Sequence, residues 1–181
     1  FTDVPEDYWG YEAIQYVYRS GMINGVSPTA FASGVSASRA MIVTILWRLE
    51  GEPAGNGGED FSDVAGDAYY AEAVRWAAGE GIVGGYGNGL FGPDDLVTRE
   101  QLAAILYRYA VCKGCDVSIG EDTNLLSYTD FADLSEYAIP AMQWACGAGL
   151  VNGTGAGALA PRGNATRAQV AAILMRFSQQ Y

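Results

Sequence analysis

One stretch, repeated, limits what this chain can fold into. Thr98-Arg99-Glu100-Gln101-Leu102-Ala103-Ala104-Ile105-Leu106-Tyr107-Arg108-Tyr109 recurs sixty positions earlier as Ser38-Arg39-Ala40-Met41 running to Leu49, and sixty-eight positions later as Thr166-Arg167-Ala168-Gln169 running to Phe177. A long self-similar period makes each copy one supersecondary unit, stable only when packed on its neighbours. Each copy opens like a helix. Ser38, Thr98 and Thr166 stand at N-cap positions, and Gln101 and Gln169 three residues on complete a capping box in two copies. Apolar residues follow at helical spacing, as in Ile42, Ile45, Leu46 and Leu49, so one face of each helix is core.

An arginine follows each cap, and this choice is electrostatically unfavourable. Arg39, Arg99 and Arg167 place a cation at the positive end of the helix dipole, at a cost of up to roughly 1 kcal/mol at an exposed site. Two readings explain the repetition. One is a salt bridge to a protein carboxylate. The other is an anionic ligand, because helix-start amides beside a guanidinium suit a carboxylate or phosphate.

The rest of the repeat is legible around these helices. Phe1-Thr2-Asp3-Val4 returns as Phe61-Ser62-Asp63-Val64 and as Phe131-Ala132-Asp133-Leu134, setting the expected repeat starts. Asp3, Asp63 and Asp133 precede a helix, where aspartate caps or forms a turn; they are also candidate partners for the arginines or a ligand. A first helix follows with small and apolar residues in register, among them Ala13, Ile14 and Val17. Trp76 and Trp144 within it read as core, whereas Trp9, Tyr69 and Tyr137 near its start are candidates for a sugar-stacking platform. Gly21, Gly81 and Gly149 end that helix. A loop then carries Phe31, Phe91 or Leu159, and Gly25, Gly85 and Gly153 in it are expected to let a ligand approach the backbone.

The expected division is repeat 1 over 1–50, a glycine-rich, acidic and flexible linker over 51–60, repeat 2 over 61–110, a second linker over 111–130 in which Leu125-Leu126 packs on the body, and repeat 3 over 131–181. The predicted fold is all-α: three helix-loop-helix repeats packed as a pseudo-threefold bundle.

Composition removes several functions. The net charge of −11 argues against nucleic acid or an anionic membrane held by bulk electrostatics, and obliges any anionic ligand to be held locally. With no histidine, serine-type triads and histidine-bound zinc are excluded. Paired carboxylates such as Asp94-Asp95 recur in no register, so a glycosidase reading is weak and no enzyme activity is expected. Cys112 and Cys115 form a C-x-x-C with Cys146 apart; a local disulfide, free thiols and a bridge to Cys146 all stay open, while too few ligands exist for structural zinc. No cofactor or metal is expected. No apolar run reaches the roughly 18 residues of a membrane span. A chain opening within a few residues of a repeat start reads as a module of something larger.

Taken together, F-x-D-V, an aromatic, a helix, G-[IML]-[IV]-x-G, an apolar-anchored loop and T-R-x-[EQ] opening a second helix resemble three tandem surface-layer homology motifs. The resemblance implies a pseudo-threefold helical domain that anchors exported proteins at the bacterial cell surface by binding a secondary cell-wall polysaccharide, often one carrying pyruvate ketals. The family's T-R-A-E signature maps onto Thr98-Arg99-Glu100-Gln101, Thr166-Arg167-Ala168-Gln169 and Ser38-Arg39-Ala40-Met41. The first copy departs most, at Ser38 and Met41. The alternative expectation is a protein-interaction or surface-layer assembly module, touching neighbouring subunits, with the arginines bridged to Asp3, Asp63 and Asp133.

Overall fold

The computed structural model describes residues 1–55, 57–58, 60–120 and 122–181. Among them are six α-helices and no named strand: α1 (Tyr11–Arg19), α2 (Arg39–Leu49), α3 (Ala71–Gly79), α4 (Arg99–Cys112), α5 (Ile139–Gly147) and α6 (Arg167–Gln180). The chain is all-α, in three repeats of two helices. The caps explain where α2, α4 and α6 begin. Ser38, Thr98 and Thr166 are extended, and their hydroxyls accept from Met41 N, Gln101 N and Gln169 N at 3.3 Å. Gln101 and Gln169 return the bond to the cap amide. The first helix of each repeat ends where Gly21, Gly81 and Gly149 take φ of 74°, 70° and 69°, a left-handed turn that only glycine adopts without a Cβ penalty.

Helices pair between repeats. α1 packs on α6, α3 on α2 and α5 on α4, so each first helix leans on the second helix of the preceding repeat, and the last repeat closes onto the first. The two helices bury apolar side chains, Ala13, Ile14 and Val17 in α1 and, among others, Val170, Ile173, Leu174 and Phe177 in α6. Trp76 and Trp144 are buried in this core, as expected from their spacing.

At the centre the three repeats bond to one another directly. Ala37 N donates to Ala165 O (2.9 Å), Ala165 N to Val97 O (2.8 Å) and Val97 N to Ala37 O (3.0 Å), a closed triangle of main-chain bonds between fully buried residues. These residues sit one position before each N-cap. The start of every second helix is thereby fixed relative to the other two.

Two expectations about the connections change. Leu125 is buried but its neighbour Leu126 is 73% exposed, so only the first packs on the body. The expected flexible linker 51–60 is tied down where it is described: Trp47 Nε1 donates to Pro53 O at 2.8 Å, and Gly55 and Gly58 lie against Arg75 so closely that a Cβ on either would collide. Asn56 and Glu59 of that segment lie outside the described residues.

Candidate functional site

Each helix-start arginine crosses to the loop of the following repeat. Arg39 donates from Nε to Phe91 O (2.9 Å) and from Nη2 to Gly84 O (2.8 Å). Arg99 makes the same pair with Leu159 O and Asn152 O, and Arg167 with Phe31 O and Asn24 O, at 2.7–2.8 Å. All three residues are no more than 9% exposed. Burial lowers the pKa of Arg99 and Arg167 from the ordinary arginine value, yet a guanidinium stays charged at neutral pH. The loop carbonyls, each the negative end of a dipole, take the place of a counter-ion.

The helix-start amides are occupied too. Arg39 N and Ala40 N donate to Asp95 O and Pro93 O, Arg99 N and Glu100 N to Gly163 O and Pro161 O, Arg167 N and Ala168 N to Val35 O and Ser33 O. The expectation that free backbone amides form an anion cradle here is therefore corrected. A ligand at this point meets the outer edges of guanidinium groups, not a bare helix end. Nor do the arginines form salt bridges with aspartates: among the described residues, ion pairs involve only Arg75 and Lys113.

The aspartates serve the loops instead. Asp3 accepts from Phe31 N (2.9 Å) and Ala32 N (2.7 Å), and Asp63 from Phe91 N (2.8 Å) and Gly92 N (2.7 Å). In the third repeat the residue in this place is Asp130, which accepts from Leu159 N and Ala160 N at 2.8 and 2.7 Å, while Asp133 is exposed and its carboxylate makes no such bond. Repeat 3 therefore opens at Tyr128-Thr129-Asp130, not at Phe131. The sequence misled because Phe131-Ala132-Asp133-Leu134 imitates the opening three residues downstream, and tyrosine replaces phenylalanine in the true one. Loop amides hold the pKa of Asp3 down; for Asp63 and Asp130 burial pushes upward, but the paired amides outweigh it.

Gly25, Gly85 and Gly153 are also needed inside the fold. A Cβ at Gly25 would lie 2.5 Å from the Phe1 ring and 2.6 Å from Ser27 O; at Gly85, 2.4 Å from the Phe61 ring; at Gly153, 2.9 Å from Ala158 O. Their absent side chains make room for the repeat's own opening aromatic and loop carbonyls. The expected reason, approach of a ligand to the backbone, is replaced by this one. Of the three, Gly153 also borders a cavity.

Two of the cavities lie at seams where three repeats meet. One, of about 380 Å³, is lined by Trp9 from repeat 1, Arg99 from repeat 2 and Asn152, Gly153, Thr154, Gln169 and Arg176 from repeat 3, among others. A second, of about 180 Å³, brings together Tyr69, Arg167, Asn24, Met41, Thr44 and Arg48. Both join an arginine at a helix start, an arginine from the second helix of the following repeat, and an exposed aromatic from the repeat after that. Trp9, Tyr69 and Tyr137 are 62%, 67% and 55% exposed, each at the start of its repeat's first helix. Among the described residues no buried side-chain nitrogen or oxygen lacks a partner. Nη1 of Arg99, which has no protein acceptor among the described residues, is therefore in contact with solvent.

Arg48, Arg108 and Arg176 were not singled out from sequence, although they recur in register within the repeated stretch. Within its own helix each lies nine residues, two and a half turns, beyond Arg39, Arg99 or Arg167 and so on a different face. The seams instead join arginines of different helices, Arg99 of α4 with Arg176 of α6 and Arg167 of α6 with Arg48 of α2. Arg176 Nη1 donates to Leu150 O at 3.0 Å, which holds it at the cavity edge. Cys112, Cys115 and Cys146 are free thiols, and the described residues contain no cluster of acid or thiol groups able to hold a metal.

A ring of interlocked two-helix repeats, whose recesses lie at the seams and contain arginines, defines a cyclic tandem-repeat module of the all-α class. Residues 1–40, 60–103 and 127–171 match the model of the S-layer homology domain, the third match beginning beside Tyr128 as the bonding pattern requires. The chain belongs to this family. It is 32% identical over 174 residues to an endoglucanase of Bacillus sp. (strain KSM-635), covering 96% of this chain and 18% of that enzyme. An amylopullulanase of Thermoanaerobacterium thermosulfurigenes is 30% identical over 96% of this chain and 9% of its own length. The S-layer protein sap of Bacillus anthracis is 29% identical over 59% of this chain and 13% of its own length. The chain thus spans less than a fifth of each of these relatives.

Proposed function

We propose that this chain is a cell-wall anchoring module that binds an anionic, pyruvylated secondary cell-wall polysaccharide at the arginine seams. The carrying observation is the cavity beside Arg99. It joins two arginines, polar groups from Asn152, Thr154 and Gln169, and the exposed Trp9 within about 380 Å³, a size that suits one or two sugar rings. The guanidiniums of Arg99 and Arg176 take the ketal carboxylate, and the indole stacks on an apolar sugar face. Ser38, Thr98 and Thr166 act at one remove, by fixing the helix starts from which the arginines extend.

The occurrence of similar segments in an S-layer protein, an endoglucanase and an amylopullulanase supports an attachment role independent of cargo. On this reading the working place is the outer face of a bacterial wall, and the three repeats act as one body rather than as three binders. The assembly reading required arginines paired with Asp3, Asp63 and Asp133; the first two are bonded to loop amides instead, and among the described residues Asp133 forms no ion pair with an arginine.

Binding of purified wall polymer before and after removal of pyruvate tests the proposal. Affinity is expected to fall at least tenfold on removal, and equal affinity for both forms rejects the carboxylate role. Trp9→Ala serves as the clean partner measurement, because an exposed residue alters stability by no more than about 0.5 kcal/mol. It should weaken binding by roughly tenfold, about 1.4 kcal/mol.

A further inference from the structure

Three seams related by pseudo-symmetry need not be three equal sites. The cavities beside Arg99 and Arg167 are each lined by two arginines and by no aspartate or glutamate. At the remaining seam the corresponding residues are Arg39, Arg108 and Tyr137, and here the repeat is broken. Glu100 stands where repeats 1 and 3 have Ala40 and Ala168. It is only 5% exposed, accepts from Ser135 N (2.9 Å) and Ser135 Oγ (2.8 Å), and receives the Tyr137 hydroxyl at 3.4 Å. Among the described residues no arginine or lysine forms an ion pair with it.

A second acid reinforces the first. Asp95, where the other repeats have Val35 and Gly163, accepts from the Tyr86 hydroxyl at 2.7 Å, and the Tyr86 ring centroid lies 5.0 Å from Cζ of Arg39. Phe91 lies 4.6 Å from the same atom. The guanidinium of Arg39 therefore contacts two rings, whereas that of Arg167 contacts one, Phe31.

We propose that Glu100 bars anionic sugars from the Arg39 seam, so that the chain holds its polymer at the Arg99 and Arg167 seams alone. The inference rests on the reading above, that a ketal carboxylate is the group bound. A buried carboxylate acts through a medium of low dielectric, where its repulsion of an incoming anion is screened less than at a water-exposed surface. Placing a like charge against the unwanted pairing is also the way a surface becomes selective. The hydroxyl of Tyr137 is held by Glu100, so the aromatic at this seam is tied to the negative group that repels the ligand.

Isothermal titration with the methyl glycoside of a pyruvyl-ketal hexosamine tests this. The chain is expected to bind about two molecules, and Trp9→Ala and Tyr69→Ala should each remove one. Glu100→Gln keeps the side-chain size and an oxygen for Ser135 but removes the charge, and it should add a third site. Glu100→Ala, the residue of the other two repeats, checks this should the glutamine variant fold poorly. Three equal sites in the unaltered chain, or two sites persisting in both folded Glu100 variants, would overturn the proposal. Equal binding of the pyruvate-free glycoside, or no binding of either, overturns instead the carboxylate reading beneath it.

Discussion

Arg99 illustrates how one side chain serves both fold and recess. Its Nε and Nη2 bind carbonyls of the following repeat, and its remaining edge borders a cavity. The aspartates are simpler, being loop clamps. Asp130 has a pKa below the ordinary aspartate value of 3.8. Its contribution is then complete above that value and is lost as pH falls through the lower, folded one. Asp130→Asn, which keeps one acceptor for two amides, should cost about 1 kcal/mol near neutral pH and flatten the acid limb of the stability curve below about pH 4. Asp133→Asn, on the exposed decoy, should change stability by less than about 0.5 kcal/mol. Urea unfolding of both variants between neutral pH and pH 3 makes the comparison, and a larger loss for Asp133→Asn would refute the revised register.

Helices here are stable by exchange, each first helix resting on the second helix of another repeat. The closing contact is α1 on α6, joining the two ends of the chain. Removing Arg167–Tyr181 uncovers Ala13, Ile14 and Val17, and deletes Val170, Ile173, Leu174 and Phe177 from the core. At about 1.5–3 kcal/mol for each large side chain, the loss is on the order of 8 kcal/mol, comparable to the whole stability of a domain. Amides of α1 should then exchange with solvent as in an unfolded peptide, although α1 itself is unaltered. Hydrogen exchange measured on the truncated chain checks this, and protection retained in α1 would contradict the ring.

At the scale of the whole molecule, local cation sites sit in a strongly acidic body. A net charge of −11 repels an anionic polymer at long range, while the seams attract it at contact. Salt screens the long-range repulsion, since the Debye length is only about 8 Å near physiological ionic strength. The association rate should therefore rise between low and moderate salt, and the dissociation rate should rise as well once the arginine contacts weaken. Surface plasmon resonance on immobilised polymer separates the two. An association rate that falls steeply with salt would mean that a basic patch, not a seam, leads the encounter.

Periodicity alone made the helices, their caps, the glycine stops and the threefold repetition legible, because these follow from local hydrogen bonding and from which residues must face a core. The aromatics near the start of each first helix were legible as a recurring position, and Trp9, Tyr69 and Tyr137 are exposed there. What lies between repeats was not. Whether Arg39, Arg99 and Arg167 meet carboxylates, carbonyls or open cavity depends on groups tens of residues away, and whether Asp130 or Asp133 clamps the third loop depends on a register that two similar openings left ambiguous. Only the packed ring decided these points, since a side chain's partner is set by the neighbour that folding brings to it and not by its own position in the chain.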